Sequence, residues 1–549
     1  MRANKSFKPK PLRYANHMAD KACHVLRSTA RLGLTLVLAV TGKCMAILSE
    51  ASLDFAKAHI ERYYDSDFFP KAFEFEALWH HWPQVKQELQ SKNISKFLIS
   101  NPYNSTIKKA RGGYRVVHQL EPMEAVAYTA MAYEVGGSIE AKRAPLADRI
   151  ACSYRINIAN GSFFDGGSGW GDFKEKSQEL ADENDFAAIT DISDFYNQIY
   201  LHRLQNAIEA ADATHKSLAS DIEDFLLALN NKASQGVPVG PAASILMAEA
   251  VMIDIDAFIS QCGVAHTRYV DDIRMFSNSE AKLAEALEKL TLYLYENHRL
   301  TLATDKTKLM PADEFVENHL HNPYLDDKDE LMDELDSISP YGGGDGDEDE
   351  DLDEEDIGGT LVDALEKLLE FEYVDLGLAR SIIRTARRNK VSNLVPALLD
   401  NFAYFAAVTP DLFLYLEEVM DASTSAIIKT GLEEICDLQE SNCALVRLWL
   451  EHFISSHTSL LASQKLKGFV MTGPNTENKA RAAITLGDIA WVRNHKAQIY
   501  NVGARGRRSI INAARVLPSD ERNPWLSLVA QNAALPLEKW LAGWVKATA

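Results

Sequence analysis

The most constraining feature of this sequence is residues 268–274, which read Arg-Tyr-Val-Asp-Asp-Ile-Arg. Side chains that alternate on both sides of the two aspartates predict two short strands joined by a tight turn. A hairpin tip presents carboxylates without burying an unpaired charge, and hard oxygen ligands of this kind favour Mg²⁺ or Mn²⁺. A solvated Asp-Asp turn has the same local pattern, so other parts of the chain must decide between a plain turn and a metal site.

The composition is that of an ordinary globular protein, with 549 residues of which 46% are hydrophobic and 25% charged. The formal net charge of −21 is concentrated, because residues 322–359 contain seventeen Asp or Glu and one Lys. The rest of the chain is only weakly acidic, which leaves a nucleic-acid partner open. The six cysteines have neither zinc nor paired spacing, which predicts reduced thiols in a cytoplasmic protein.

Composition also divides the chain into segments. Residues 1–44 are basic and then apolar, and we assign this N-terminal extension no function, because it fits either a poorly ordered arm or an over-extended start. Its apolar run, residues 32–40, is too short to span a bilayer, so no membrane partner is expected. Residues 321–359 cannot build a core and are predicted to be a disordered acidic linker.

Residues 360–549 read as one helix after another, in units of about twenty to forty residues. This pattern predicts an all-α region of the HEAT-like repeat type, although no clean sequence repeat is present. Two groups of arginines in this region could line a path for nucleic acid or form salt bridges at an interface. The residues are Arg384, Arg387, Arg388, Arg505, Arg507 and Arg508.

Several further motifs precede the Asp-Asp pair, and each has a structural alternative. Residues 104–120 predict a basic β-hairpin with a Gly-Gly turn, which could close over a triphosphate or simply be solvated. Residues 187–196 predict an apolar strand that ends in Asp191, either a metal ligand or a helix cap. Residues 234–241 form a Gly-Pro loop that enters a long apolar helix, and residues 300–309 predict a strand and turn with lysines.

The order of these motifs resembles the fingers and palm of reverse transcriptases. A basic hairpin, Asp-x-x-x-Phe-Tyr, Gln-Gly-x-Pro-x-Gly, Tyr-x-Asp-Asp and a Lys-Thr turn follow one another over roughly residues 100–315. The resemblance implies an α+β reverse transcriptase domain in residues 45–320 with a ferredoxin-like palm. In such a palm, Asp191, Asp271 and Asp272 would gather at one sheet edge around two Mg²⁺ or Mn²⁺ ions.

The same resemblance implies contacts to an incoming deoxynucleotide. Arg111 and Arg115, with Lys109 as a weaker candidate, would bind the triphosphate, and Asp194 lies where the family places further triphosphate contacts. Gln235 would lie along the nucleotide.

Two more residues complete the expected chemistry. Tyr196 would exclude a ribose 2′-hydroxyl and so select dNTPs, and Lys306 matches the lysine that protonates the leaving pyrophosphate.

A narrower resemblance is to bacterial defence-associated and abortive-infection reverse transcriptases. It depends on residues 65–70, 73–76, 153–155 and 191–196. It implies anti-phage DNA synthesis that is template-independent or protein-primed in some relatives, a DNA or RNA partner that could include a non-coding RNA, and a homo-oligomer. The alternative is a catalytically dispensable scaffold that binds nucleic acid or a phage protein.

Overall fold

The computed structural model describes residues 47–91, 94, 97, 99–164, 169–321, 328, 331–332 and 354–549. Residues Met45–Ala549 form one compact unit. The predicted N-terminal extension and most of the predicted acidic linker lie outside the described residues. Within the described part of the chain, no helix is both long enough and apolar enough to cross a membrane.

The chain begins its described part with helices that flank two β-hairpins. The elements are α1 (Glu50–Tyr63), α2 (Glu74–His80), α3 (Trp82–Ser91), β1 (Tyr103–Lys108), β2 (Tyr114–Gln119), α4 (Pro122–Glu140), β3 (Ile156–Ala159) and β4 (Ser162–Phe164). The predicted basic hairpin is confirmed as β1 and β2, which pair antiparallel. Residues 160–171 are rich in glycine without a phosphate-loop pattern, which predicts an ordinary loop, but β4 pairs with β3 at the start of this stretch.

A four-stranded antiparallel sheet follows and carries the predicted catalytic motifs. Its strands are β5 (Phe186–Asp191), β6 (Ala265–Tyr269), β7 (Asp272–Ser277) and β8 (Lys308–Pro311). They lie in the order β6-β7-β5-β8, so the two strands nearest the centre are not consecutive in sequence. The helices of this part are α5 (Trp170–Glu183), α6 (Phe195–Gln198), α7 (Leu201–Ala211), α8 (Lys216–Leu229), α9 (Ala242–Gln261), α10 (Glu280–Tyr293) and α11 (Ala312–Phe315).

The amphipathic pattern of residues 197–210 predicts one continuous helix, but the structure divides it. Helix α6 ends at Gln198 and α7 begins at Leu201. Between them, Tyr200 forms an isolated antiparallel bridge with Gln235. Because of this break, the segment between α6 and α7 can form a backbone bridge with the Gly-Pro loop.

Two nearly all-apolar helices form the core behind the sheet. Helix α9 buries residues on every side, as expected for a helix without a polar face. It packs on α4, and the Tyr128 hydroxyl lies 3.1 Å from Ser244 Oγ between them. This packing gives the sheet a rigid support.

The C-terminal region is helical throughout its described residues. Its helices are α12 (Glu354–Leu369), α13 (Leu376–Arg388), α14 (Val395–Asp400), α15 (Phe402–Phe405), α16 (Thr409–Val419), α17 (Ser425–Ile435), α18 (Ala444–Ser456), α19 (Thr458–Leu461), α20 (Gln464–Thr472), α21 (Thr476–Leu486), α22 (Ile489–Lys496), α23 (Ala504–Ala513), α24 (Ser519–Gln531) and α25 (Pro536–Thr548). Helix α12 starts at Glu354, inside the stretch predicted as a disordered linker.

Arginines of α23 form salt bridges, which favours the second interpretation of this basic group. Arg508 Nε lies 2.7 Å from Glu74, and Arg505 Nε lies 2.9 Å from Glu121. Arg507 Nε lies 2.7 Å from Glu538. Arg505 and Arg508 thus attach the end of the chain to residues near its beginning.

The buried carboxyl of Asp65 should make stability depend on pH. Burial raises its pKa to about 7, and the Gln119 amide and the Arg505 charge offset only part of this shift. Because the folded-state pKa exceeds the unfolded value, stability is lost as pH rises from about 4 through about 7. We expect Asp65→Asn to stabilise the protein at pH 8, by up to about 4 kcal/mol, and to have little effect at pH 4.

Thermal unfolding midpoints at the two pH values measure this effect. The exposed Asp313→Asn variant is the control and should behave as the wild type. A lower midpoint for Asp65→Asn at pH 8 would contradict the expectation.

Candidate active site

Residues 268–274 form the expected hairpin. Tyr269 of β6 pairs with Asp272 of β7, which leaves only Val270 and Asp271 in the turn. Val270 has φ of 56°, a conformation that is strained for a β-branched side chain. Surrounding contacts must therefore hold this turn in place.

A buried ionic network supplies those contacts. The side chain of Arg268 is fully buried and donates to Asp256 at 2.7 and 2.9 Å and to Glu249 at 3.2 and 2.9 Å. Its Nη1 also donates to the Val270 carbonyl oxygen at 3.1 Å. The Val270 amide donates to Ser153 Oγ at 2.9 Å, so both backbone groups of the strained residue are satisfied.

In this network two arginines face two carboxylates, so the buried charges compensate one another. The sequence analysis did not predict that these residues support the hairpin. Glu249 also lies 2.9 Å from Arg143. Burial alone would raise the pKa of Glu249, but the charges of Arg268 and Arg143 outweigh it and the pKa lies below its usual value. A usable signal was present, since Glu249 and Asp256 lie seven residues apart on one face of an otherwise apolar helix.

The sheet brings the three predicted aspartates to the same end. Asp191 is the last residue of β5 and pairs in register with Asp272, the first residue of β7. The Ile192 amide donates to the Asp271 carbonyl oxygen at 3.3 Å, and the Ala303 amide donates to the Asp191 carbonyl oxygen at 2.8 Å. Backbone pairing alone therefore places Asp191, Asp271 and Asp272 together.

Negative charge accumulates at this end of the sheet. Burial, followed by the charge of Asp191, raises the pKa of Asp271 to about 7. Burial also raises the pKa of Asp272, against the opposing charge of Arg274. A nearby cation stabilises buried carboxylates whose pKa values are raised in this way. Carboxylate oxygens are also the ligands that Mg²⁺ and Mn²⁺ prefer.

The carboxylate oxygens do not yet converge on a metal-binding arrangement. No group of three His, Cys, Asp or Glu side chains in the described ranges is placed to hold a metal ion. Instead, Lys306 Nζ donates to Asp191 Oδ2 at 2.6 Å. Burial would lower the pKa of Lys306, but the Asp191 carboxylate raises it, so this lysine stays protonated beside the aspartates.

Tyr196 lies next to the aspartates, on α6. Burial raises its pKa well above the usual value, and the charges of Glu249 and Asp271 add to the shift. The charge of Arg115 acts in the opposite direction, which places this arginine of β2 on the same side. The Tyr196 carbonyl oxygen accepts from the Val237 amide at 2.9 Å, which ties the tyrosine to the Gly-Pro loop.

Two other predicted nucleotide contacts lie at the rim. Gln235 is exposed, and its Nε2 donates to Gln198 Oε1 at 3.2 Å. Asp194 is exposed with φ of 50° and accepts from Asn197 Nδ2 at 2.8 Å. The Asp194 side chain makes no capping hydrogen bond to the backbone of α6, and no hydrogen bond joins Gln235 or Asp194 to the three aspartates in the described part of the chain.

The far end of the Gly-Pro loop requires glycine. Gly240 has φ of 133°, and a Cβ there would lie 2.4 Å from Ser66 Oγ and 2.9 Å from the His118 carbonyl oxygen. The neighbouring Val239 amide donates to His118 Nδ1 at 3.0 Å. The loop therefore fastens the basic hairpin to the sheet domain.

The three basic residues of the hairpin point to different places. Lys109, Arg111 and Arg115 are all exposed. The charge of Arg115 counteracts the rise in the pKa of Tyr196. The charge of Arg111 instead counteracts the rise in the pKa of Tyr373, in the helical region. The Lys109 backbone closes the turn by accepting from the Gly112 amide at 3.1 Å. Of the three, Arg115 is the one whose charge affects Tyr196, the tyrosine beside the aspartates.

Comparison with known proteins identifies the domain. Residues 107–319 match the family model described as reverse transcriptase (RNA-dependent DNA polymerase). No curated protein matches the sequence. The chain therefore contains a reverse transcriptase domain and is a nucleotidyltransferase of the RNA-directed DNA polymerase type.

Similar solved structures include two telomerases at 11% sequence identity. Telomerase from Candida albicans with a TWJ fragment of telomeric RNA has a TM-score of 0.31, with 74% of this chain and 72% of that chain covered. Apo telomerase from Candida Tropicalis has a TM-score of 0.34, with 64% of this chain and 68% of that chain covered. At such TM-scores, no property of telomerase is transferred to this chain.

Proposed function

We propose that this reverse transcriptase domain extends a nucleic-acid or protein primer with dNTPs, using Asp191, Asp271 and Asp272 to hold two Mg²⁺ or Mn²⁺ ions. The observation that carries the proposal is the register of the sheet, which pairs Asp191 with Asp272 beside the Asp271 turn. The strand order β6-β7-β5-β8 fits a ferredoxin-like palm, in which helical connections join antiparallel strands.

The carboxylates fit this role because they are partly buried, close together and incompletely neutralised. When bound, divalent ions would lower the pKa of the attacking hydroxyl and neutralise charge on the triphosphate. Asp191, Asp271 and Asp272 would hold these ions through their carboxylate oxygens. Lys306, whose Nζ lies 2.6 Å from Asp191 Oδ2, would donate its proton to the leaving pyrophosphate.

The surrounding residues would orient the nucleotide. Arg115 is suited to the triphosphate, because a guanidinium matches phosphate oxygens with two parallel hydrogen bonds. Arg111 and Lys109 would reach the phosphates only if the hairpin closes. Gln235 and Asp194, both exposed at the rim, are proposed to contact the nucleotide from the solvent side.

The direct test is incorporation of labelled dNTPs by the purified full-length protein. The reactions contain Mg²⁺ or Mn²⁺ with an RNA template, a DNA template or no template. Label that stays on the protein after denaturation indicates protein priming. If none of these reactions incorporates dNTPs, including one with co-purified nucleic acid, the proposal is refuted.

Tyr196 should select deoxynucleotides. Its half-buried ring lies beside Asp271, where the sugar of an incoming nucleotide would contact it. We expect Tyr196→Ala to reduce the preference for dATP over ATP by at least about tenfold, because the clash with the 2′-hydroxyl is removed. The ratio of kcat/KM for the two nucleotides measures the effect.

The exposed Tyr295→Ala variant is the matched control and should keep the wild-type ratio. An unchanged ratio in Tyr196→Ala would assign sugar selection to another residue. A wild-type preference for ATP would instead favour an RNA polymerase.

The cellular role that we propose is anti-phage defence in the bacterial cytoplasm, with the protein acting as a homo-oligomer. Support comes from the segments that resemble defence-associated reverse transcriptases, residues 65–70, 73–76, 153–155 and 191–196. Free thiols at Cys152, Cys262, Cys436 and Cys443 are compatible with a reducing compartment. The C-terminal helices would act as a HEAT-like surface that carries nucleic acid.

Phage infection of cells that express the protein tests this role. Wild type should protect, and a variant without the Asp271 and Asp272 carboxylates should not. Full protection by that variant would favour the alternative, a binding scaffold whose catalysis is dispensable.

A further inference from the structure

A cavity whose wall contains none of the three aspartates lies between α2 and the C-terminal helices. It has a volume of about 350 Å³ and is bordered by α2, α18, α21, α23 and α25. This volume is in the range of small-molecule sites. Its walls combine apolar side chains, among them Phe73 and Ile484, with an excess of positive charge.

The charge excess is visible in the ionisable residues of the wall. Five cationic side chains face two carboxylates, Glu74 and Glu477. Burial raises the pKa of Glu477, and the charges of Arg505 and Arg508 oppose this shift. The cations are Lys71, Arg481, Arg505, Arg508 and Arg515.

Two of the arginines already have protein partners. Arg508 donates to Glu74 at 2.7 Å, and Arg505 donates to Glu121 at 2.9 Å and to Gln119 at 3.1 Å. These contacts account for the structural role of both residues.

Arg481 and Arg515 are different. In the described part of the chain, Arg481 Nε and Arg515 Nη2 are buried without a hydrogen-bond partner. Burial lowers the pKa of both guanidinium groups, so each is held in the wall at a cost in free energy. Buried polar groups are nearly always satisfied, and a bound ion or ordered water is one of the explanations for an exception.

The neighbouring groups complete a polar lining. Burial, with the Arg481 charge second, lowers the pKa of His452 well below its usual value, so this ring is neutral and adds no charge. The Arg515 guanidinium lies 4.8 Å from the Trp544 ring centroid, which fixes its orientation. Arg515 Nε donates to the Asn512 carbonyl oxygen at 3.2 Å, which leaves Nη2 for a ligand.

We propose that this cavity binds a small phosphate-bearing anion, held by the free donors of Arg481 and Arg515. Phosphate oxygens match the fork of N–H groups on a guanidinium, and both arginines line this one cavity. The apolar part of the wall leaves room for an attached nucleoside. Such a ligand joins α2 to the C-terminal helices, and its binding stabilises their contact.

Calorimetric titration of the full-length protein with inorganic phosphate and with dAMP tests the proposal. EDTA is present, so that divalent ions do not support nucleotide binding at the aspartates. We expect both probes to bind the wild type at up to millimolar concentration. Arg481→Gln and Arg515→Gln should each weaken binding roughly tenfold or more, the effect of losing a charge-assisted hydrogen bond.

The matched control is Arg493→Gln, on the adjacent helix α22, where Arg493 is exposed and pairs with Glu521 outside the cavity. Tighter binding of dAMP than of phosphate supports a nucleotide ligand, and equal binding supports phosphate alone. Absence of binding to the wild type overturns the proposal. So does wild-type affinity in both Arg481→Gln and Arg515→Gln, and thermal unfolding verifies that each variant is folded.

Discussion

Replacing both Asp271 and Asp272 with asparagine should reduce dNTP incorporation by at least about 10³-fold and leave the protein folded. Asparagine keeps the shape of the side chain but removes the charge that holds a divalent cation. Because burial and the charge of Asp191 raise the pKa of both carboxyls, the charges destabilise the folded protein in the absence of a cation. The double variant should therefore unfold at the same temperature as the wild type or higher.

This combination of results separates catalysis from folding. Incorporation is measured with saturating dNTPs and Mg²⁺, and unfolding is followed by circular dichroism in EDTA. Asp313→Asn, which removes one exposed carboxylate, is the control for both measurements. Activity within tenfold of the wild type would contradict the assignment of these two residues.

The second large effect is expected for Arg268→Met, which should lower the free energy of unfolding by about 3–5 kcal/mol. Methionine fills a similar volume but leaves Glu249 and Asp256 as buried carboxylates that have lost their shared partner. Arg143 still compensates part of the Glu249 charge. The strained Val270 turn also loses the hydrogen bond to its carbonyl oxygen.

Chemical denaturation measures this loss. Lys289→Met is the control, because Lys289 pairs with Glu285 on the surface of α10 and such exposed pairs contribute at most about 0.5 kcal/mol. A loss below 1 kcal/mol for Arg268→Met would mean that the network does not hold the hairpin. The folded fraction of the variant should also have reduced activity, since the turn carries Asp271.

Much of the candidate site is encoded in local patterns. Alternation around residues 268–274 predicts the hairpin because strand side chains repeat every two residues, and the structure confirms it. An apolar run that ends in Asp191 likewise predicts the end of β5. In the helical region, buried residues of α13 recur at helical spacing, as the sequence predicts.

Contacts between distant residues could not be predicted in this way. Arg508 and Glu74 are separated by 434 positions, and no local pattern relates them. The interruption between α6 and α7 depends on the pairing of Tyr200 with Gln235, so propensity alone favoured one continuous helix. The sequence also left open whether Arg505 lines a path for nucleic acid or forms a salt bridge. Only the structure identifies its partner, Glu121.

The sequence by itself determined the chemistry of this protein, because the types and order of the motif residues identify a nucleotidyltransferase before any contact is known. Only the tertiary structure decided what holds those residues in place. Packing of α9 against the sheet brings Glu249 and Asp256 to Arg268, and the register of β5 with β7 brings Asp191 to Asp272. Packing and register depend on the whole chain, since the free energy of each buried group depends on neighbours that the local sequence does not contain.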